Sequence, residues 1–286
     1  MSERVAVRKT YKLYIGGAFP RSESGRSYPV TSHQGDLLAH AAQASRKDVR
    51  DAVVAARKAF GGWSKATAYN RGQILYRIAE MLEGRRAQFA DEVAAAEGGS
   101  AKAALTLVDE AIDRWVYYAG WADKYAQVAG NTNPVAGPYF TFSLPEPTGV
   151  VGVLSPQDSS LLGLASVLAP VIATGNTAVV VASQQRPLPA VSLTEVLATS
   201  DLPGGVVNLL TGFTAELAPW LAGHRDVNAI DLTGAAAEQR TALETAAADN
   251  VKRVFVPRST IWADDPGTTR MTAFVETKTV WHPIGV

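Results

Sequence analysis

The chain has 286 residues, 47% of them hydrophobic, enough to bury a substantial core in one or two domains. Its 27 basic and 27 acidic residues cancel, which excludes a global field drawing it to nucleic acid or to an acidic membrane. No residue is cysteine, so disulfide frameworks, thiolate metal sites and thiolate nucleophiles are excluded as well. The first ten residues, MSERVAVRKT, lack the apolar run of a signal peptide. The longest apolar stretch, Leu161 to Gly175, is interrupted by Pro170 and reads as a buried helix. A soluble cytoplasmic protein is the expectation. The four histidines, His33, His40, His224 and His282, have no ligand spacing and read as surface or capping residues.

In chain order, residues 11–31 read as short strands and a turn, with Tyr11 to Ile15 alternating and Gly16-Gly17 turning. Asp48, Val49, Ala52, Val53, Ala56 and Phe60 recur at helical spacing, and Gly61-Gly62 is expected to end that helix. A second amphipathic helix spans about Asn70 to Gly84, and a third begins near Arg85. Another is expected from Ala101 to Val128, with Ser100 as its N-cap. Residues 129–148 change character: Gly and Pro bracket Tyr139-Phe-Thr-Phe142, the signature of an extended hairpin. So aromatic a hairpin either packs on the core or binds something.

From Gly149 the rhythm is strand, helix, strand, helix. Strands are expected at Val150–Leu154, Thr177–Ala182, Val206–Leu210, Ala229–Leu232 and Arg253–Val256. Helices are expected at Leu161–Ala173, Leu188–Ser200, Ala215–Ala222 and Ala235–Asp249. Apolar strands alternating with helices imply an α/β fold, a parallel sheet covered on both faces. Ligands bind such sheets at the carboxyl ends of the strands.

Several segments together resemble the NAD-dependent aldehyde dehydrogenases. They are Ile15-Gly-Gly17, Ala55 to Phe60 with Trp63 and Arg71, Pro145 to Gly152, Leu168-Ala-Pro170, Gly175-Asn-Thr177, Pro203 to Asn208 and Leu232-Thr-Gly234. Each is weak alone; their order and spacing over residues 11–256 make the resemblance specific. It implies a Rossmann-like parallel sheet, an oligomerisation hairpin and strand, and a division into four parts: residues 1–128, mainly helical; the hairpin 129–148; the Rossmann-like part 149–258; and residues 259–286, a short linker and closing strand.

The departures bear on function. Where the family has the Asn that stabilises an oxyanion, this chain has Asp158 after Pro156-Gln157; an ionised carboxylate cannot donate and would repel developing negative charge. The family's ribose-holding Lys and Glu match Val181 and Gln184. The phosphate-approach motif retains Gly234 but has Ala235 for the hydroxyl and Gln239 for the second Gly, while Thr214 and Glu216 alter the neighbouring loop. Pro257 stands at the general-base Glu. Only Ser259 to Arg270 then separate this point from the closing strand, so the family's catalytic domain, with its cysteine, is deleted. The resemblance therefore implies no catalytic residue here. It leaves Ser155, Pro156, Thr233 and Gly234 as vestigial cofactor contacts, with each also readable as an ordinary loop residue. No cofactor is expected on this chain.

The oligomerisation elements are retained. Tyr139, Phe140 and Phe142 on the hairpin, and Phe274, Val275, Thr277, Thr279 and Trp281 on a closing strand from Ala273 to Trp281, are the expected contact residues. The alternative for that strand is to complete a sheet within the chain. The resemblance implies a non-catalytic structural or regulatory subunit of a hetero-oligomer, whose partner is a full-length aldehyde dehydrogenase carrying the NAD; self-association is the other assembly. The alternative is a stand-alone or trans-acting nucleotide-binding module. A new nucleophile at Ser159 or Ser160 has no His-plus-carboxylate support. Nucleic acid and membrane partners are not expected.

Overall fold

The computed structural model describes residues 7–257 and 260–285. The first six residues, on which the leader-free reading partly rests, and Arg258 and Ser259 at the start of the linker lie outside the described residues.

Three short strands, β1 (Thr10–Tyr11), β2 (Ser27–Thr31) and β3 (Leu37–Ala42), form a small sheet in the order β1-β3-β2. Helices α1 (Arg46–Lys65), α2 (Ala68–Glu83), α3 (Arg86–Glu97) and α4 (Ala101–Ala122) follow, then the single turn α5 (Tyr125–Ala129). Ser45 caps α1 through its hydroxyl, and Asp48 answers by accepting the Ser45 amide at 2.8 Å, a capping box. Ser100 caps α4 as expected, accepting the Ala103 amide at 3.1 Å.

Two helix ends differ from the expectation. Gly61-Gly62 lies inside α1, which continues to Lys65. Tertiary burial overrides the poor propensity of the pair: Trp63, just beyond it, is buried and donates its indole N–H to the Ile172 carbonyl at 3.0 Å. The helix expected to reach Val128 breaks after Ala122, where the Lys124 amide turns back to the Trp121 carbonyl.

Next come β4 (Asn131–Asn133) and β5 (Tyr139–Pro147), then the alternating region. It runs β6 (Val150–Leu154), α6 (Leu162–Ala173), β7 (Thr177–Val181), α7 (Leu188–Ala198), β8 (Val207–Leu210), α8 (Thr214–Ala222), β9 (Ala229–Asp231), α9 (Ala237–Ala248) and β10 (Arg253–Phe255). The chain closes with the short helix α10 (Thr269–Ala273) and β11 (Val275–Pro283).

The five middle strands form one parallel sheet in the order β10-β9-β6-β7-β8. Every residue of β6 and β7 is buried, which explains their unbroken apolar runs. On one face Val151, Val153, Ala178 and Val180 pack in a core shared with α2, α4 and α6; on the other Val150, Leu154, Val179 and Val181 pack with α1 and α8. This three-layer arrangement is the Rossmann-like sheet anticipated from the alternation. The chain leaves β6 for β7 on one side and reaches β9 on the other, so the crevice between the carboxyl ends of β6 and β9 is the topological switch point. Apart from this body, β11, β5 and β4 make an antiparallel sheet in that order.

Candidate functional site

At the switch point the loops after β6 and β9 meet, bringing Ser155 against Gly234, with Thr233 next to it in the chain, while Pro156 lies against Gly163 at the start of α6. Gly234 donates its amide to the Leu154 carbonyl at 2.9 Å, and a Cβ built on it would lie 1.9 Å from the Ser155 carbonyl oxygen. Glycine is therefore required by the approach of two backbones. Ser155 and Pro156 are buried beneath the loop, and the Ser155 hydroxyl has no partner. Above them opens a cavity of about 460 Å³, walled by Asp158, Gln184, Thr214, Thr233, Glu238 and Gln239 among others. The starts of α8 and α9 border it, and neither helix has a side-chain cap. The Thr214 hydroxyl, at the first residue of α8, is buried without a partner.

Most polar groups here are committed within the chain. The Gln157 side chain donates to the Ser155 carbonyl at 2.9 Å and accepts from the Gln184 amide at 3.0 Å, joining the loops after β6 and β7. Arg186 donates to the Asp158 carbonyl at 2.7 Å, and the Trp262 indole lies 3.4 Å from an Asp158 carboxylate oxygen. Thr233 donates both its amide, at 2.9 Å, and its hydroxyl to Asp231. Asp231 is wholly buried, and its other oxygen is paired with Arg270. Arg270 also donates to the Thr233 hydroxyl at 3.1 Å and lies over the Phe255 ring at 4.7 Å. Burial pushes the Asp231 carboxyl above its ordinary range, against the opposing pull of Arg270 and of both Thr233 donors.

Asp231, Arg270, Gln157 and Trp262 were not singled out from the sequence. Asp231 carried a signal, since a carboxylate at the end of an otherwise apolar strand needs a cation. Its partner, 39 positions away, carried none.

The residues lining the cavity include two carboxylates, Asp158 and Glu238, and no Lys or Arg. Two helix N-termini offer only about half a positive charge each. They do not offset two carboxylates and a dianionic pyrophosphate, so the cavity fits a dinucleotide poorly. Ser159 accepts the Gly163 amide at 2.9 Å, and the Ser160 hydroxyl donates to Glu97 at 2.5 Å. Both serines are thus engaged where α6 begins and α3 ends. Among the described residues no group of three His, Asp or Glu side chains could hold a metal ion, and no helix is long and apolar enough to cross a membrane.

The antiparallel sheet gathers most of the expected contact residues. Tyr139 and Trp281 meet edge to face with ring centroids 5.7 Å apart, and Phe140 lies 5.8 Å from Phe142. Trp281 is 58% exposed and Phe140 49%, while Phe142 is half-buried. Thr277 and Thr279 are exposed, and the Thr279 hydroxyl lies 2.8 Å from that of Ser143. Phe274 needs correction. It precedes the strand, which begins at Val275, and is fully buried against Phe255, its carbonyl accepting from Asn176 at 2.8 Å. Its apolar ring is drawn into the core, so Phe274 anchors the strand and offers no contact surface.

Residues 19–257 match the aldehyde dehydrogenase family. The chain belongs to that family. It is 35% identical over 251 residues to the mitochondrial benzaldehyde dehydrogenase of Antirrhinum majus, covering 85% of this chain and 46% of that protein. It is 35% identical over 252 residues to human retinal dehydrogenase 2, covering 86% of this chain and 48% of the relative. Among solved structures, the NAD+ complex of an aldehyde dehydrogenase from Bacillus cereus superposes with TM-score 0.80 at 28% identity, covering 86% of this chain and 50% of that one. A putative aldehyde dehydrogenase from Burkholderia cenocepacia gives TM-score 0.81 at 30% identity, covering 85% and 50%. The chain thus spans about half the length of the relatives it matches. Within this aldehyde dehydrogenase fold, β10 ends at Phe255 and α10 begins at Thr269, leaving only the short linker between the Rossmann-like sheet and the closing strand.

Proposed function

We propose that this chain is a non-catalytic aldehyde dehydrogenase homologue that serves as a structural or regulatory subunit, docking onto a full-length, cysteine-bearing member of the family. One observation carries the reading: the antiparallel sheet is present and rich in aromatic residues, while only a short linker joins β10 to the helix that leads into β11. In the order β11-β5-β4, the nine-residue β11 has a single neighbour among the described residues. Its outer edge is free to extend a partner's sheet. Beside that edge Tyr139, Phe140, Leu144 and Trp281 expose apolar surface of the kind buried at interface centres. NAD belongs on the partner, because the cavity here has carboxylates and no cation. Cytoplasmic residence accompanies the reading.

Co-expression with a cysteine-bearing family member from the same organism, followed by native mass spectrometry, tests this. A mixed oligomer of fixed stoichiometry is expected, weakened by Trp281→Ala. Two separate species, each containing one kind of chain, would sink the proposal. The nucleotide-module alternative draws on the unpartnered Ser155 and Thr214 hydroxyls. Calorimetric titration of the chain alone with NAD and NADP decides it, micromolar binding being its signature.

A further inference from the structure

The linker that replaces a domain is held on the body at several points. Arg114 donates to the Trp262 carbonyl at 2.6 Å and to the Asp264 carbonyl at 3.2 Å. The Tyr118 hydroxyl reaches the Gly267 carbonyl at 3.3 Å, and that of Tyr125 reaches Thr272 at 3.1 Å. One contact differs in kind. Asp231, at the last position of β9, and Arg270, on the short helix leading directly into β11, are both buried. Among the described residues no other ion pair has both side chains so enclosed.

Apolar side chains of similar volume could fill this space with comparable stability, so stability alone does not explain a buried pair. The guanidinium adds direction. It engages a carboxylate oxygen and the Thr233 hydroxyl, and it lies over Phe255. Three contacts on a planar group constrain the rotation of α10, and with buried Phe274 and the pairing of β11 to β5 they bear on the point and angle at which β11 leaves the body.

We infer that the Asp231–Arg270 pair is a positioning device for the docking strand, holding β11 and its sheet at one place on the Rossmann-like body. The inference rests on the docking reading only for its biological use; the position itself can be measured without a partner. Thr233 links the device to the switch-point crevice, because the hydroxyl that accepts from Arg270 belongs to a residue lining that cavity.

The absence of native cysteine makes the test clean. Cysteines introduced at Glu244, exposed on α9, and His282, exposed on β11, carry spin labels for pulsed electron–electron distance measurement on the full chain. The wild-type background is expected to give one narrow distribution. Arg270→Met, which keeps an unbranched apolar side chain, and Asp231→Asn are each expected to broaden it at least about twofold, because breaking one side of a buried pair leaves the other charge uncompensated. Hydrogen exchange should meanwhile find the β6 and β7 amides as protected as before. An unchanged distribution in both variants overturns the inference. So does loss of protection in β6 and β7, which would make the pair a support of the whole sheet. If the wild-type chain forms no mixed oligomer, the docking reading fails, while the distance measurement still decides whether the pair positions β11.

Discussion

Gly234→Ala separates a packing glycine from a ligand-binding one. The new Cβ would sit 1.9 Å from the Ser155 carbonyl oxygen and 2.9 Å from that of Leu154, both backbone atoms of the buried loop after β6. Neither can swing away as a side chain would. The loop after β9 must retreat, giving up the 2.9 Å bond from Gly234 to Leu154. Overpacking costs about 1–3 kcal/mol, here at the upper end, and a lost hydrogen bond adds about 1 kcal/mol. The sum, about 3–4 kcal/mol, is a large part of the stability of a typical domain, roughly 5–15 kcal/mol. Urea unfolding followed by tryptophan fluorescence should lower the midpoint by about 1–2 M, taking a slope of about 2–3 kcal/mol per M for a chain of this size. Gly120 is the control: inside α4, with nothing within 4 Å of a built Cβ, its Ala variant should gain about 0.5–1 kcal/mol. If Gly234→Ala loses less than about 0.5 kcal/mol, within the range of ordinary surface substitutions, the close approach at the switch point is misjudged.

Three further outcomes are expected. Burial, with Lys252 and Arg57 nearby and only Asp226 opposing, holds the His224 pKa below its ordinary value, and its Nδ1 accepts the Asp226 amide at 3.2 Å. The stability this contributes is full above the unfolded pKa of about 6.5 and is lost as pH falls through the folded value; melting temperature should drop more between pH 7 and 5 in the wild type than in His224→Gln, and equal drops would contradict it. Trp63→Phe removes the 3.0 Å donation to Ile172 along with packed volume, and calorimetry should register a loss of about 2 kcal/mol. Ser160→Ala removes a hydroxyl bonded to Glu97 at 2.5 Å; urea titration should show a loss of about 1–2 kcal/mol, and no change would mean that this bond does not hold the end of α3.

The parallel sheet was legible because burial on both faces leaves runs such as Val150–Leu154 and Thr177–Val181 without polar interruption. The caps at Ser100 and the hairpin at Tyr139 were legible because their signals are local. What failed required distant contacts. The continuation of α1 through Gly61-Gly62 depends on Trp63 reaching Ile172, 109 positions on. The closing strand starts two residues later than expected from Ala273, because Phe274 keeps the alternation of the strand while its ring belongs to the core. At the crevice, the sequence marked the departures from the family pattern but not how they are satisfied; the pairing of Asp231 with Arg270 exists only after folding.

That satisfaction bears on whether the crevice can be turned back into a dinucleotide site. Loops that take phosphates leave backbone amides pointing at the ligand. Here the amides of Thr233, Gly234 and Ala235 already donate to Asp231, Leu154 and Leu232, and that of Gln184 donates to the Gln157 side chain. A ligand engaging them would exchange one hydrogen bond for another, with little net gain. The carboxylates of Asp158 and Glu238 add repulsion to an already weak attraction. Asp158→Ala combined with Glu238→Ala therefore removes a penalty without creating a donor. The double variant is expected to show no saturable heat with NAD up to about 1 mM, a ceiling on binding of about 4 kcal/mol. Saturation below that concentration would mean that the amides are released on binding, and that repulsion alone had closed the crevice.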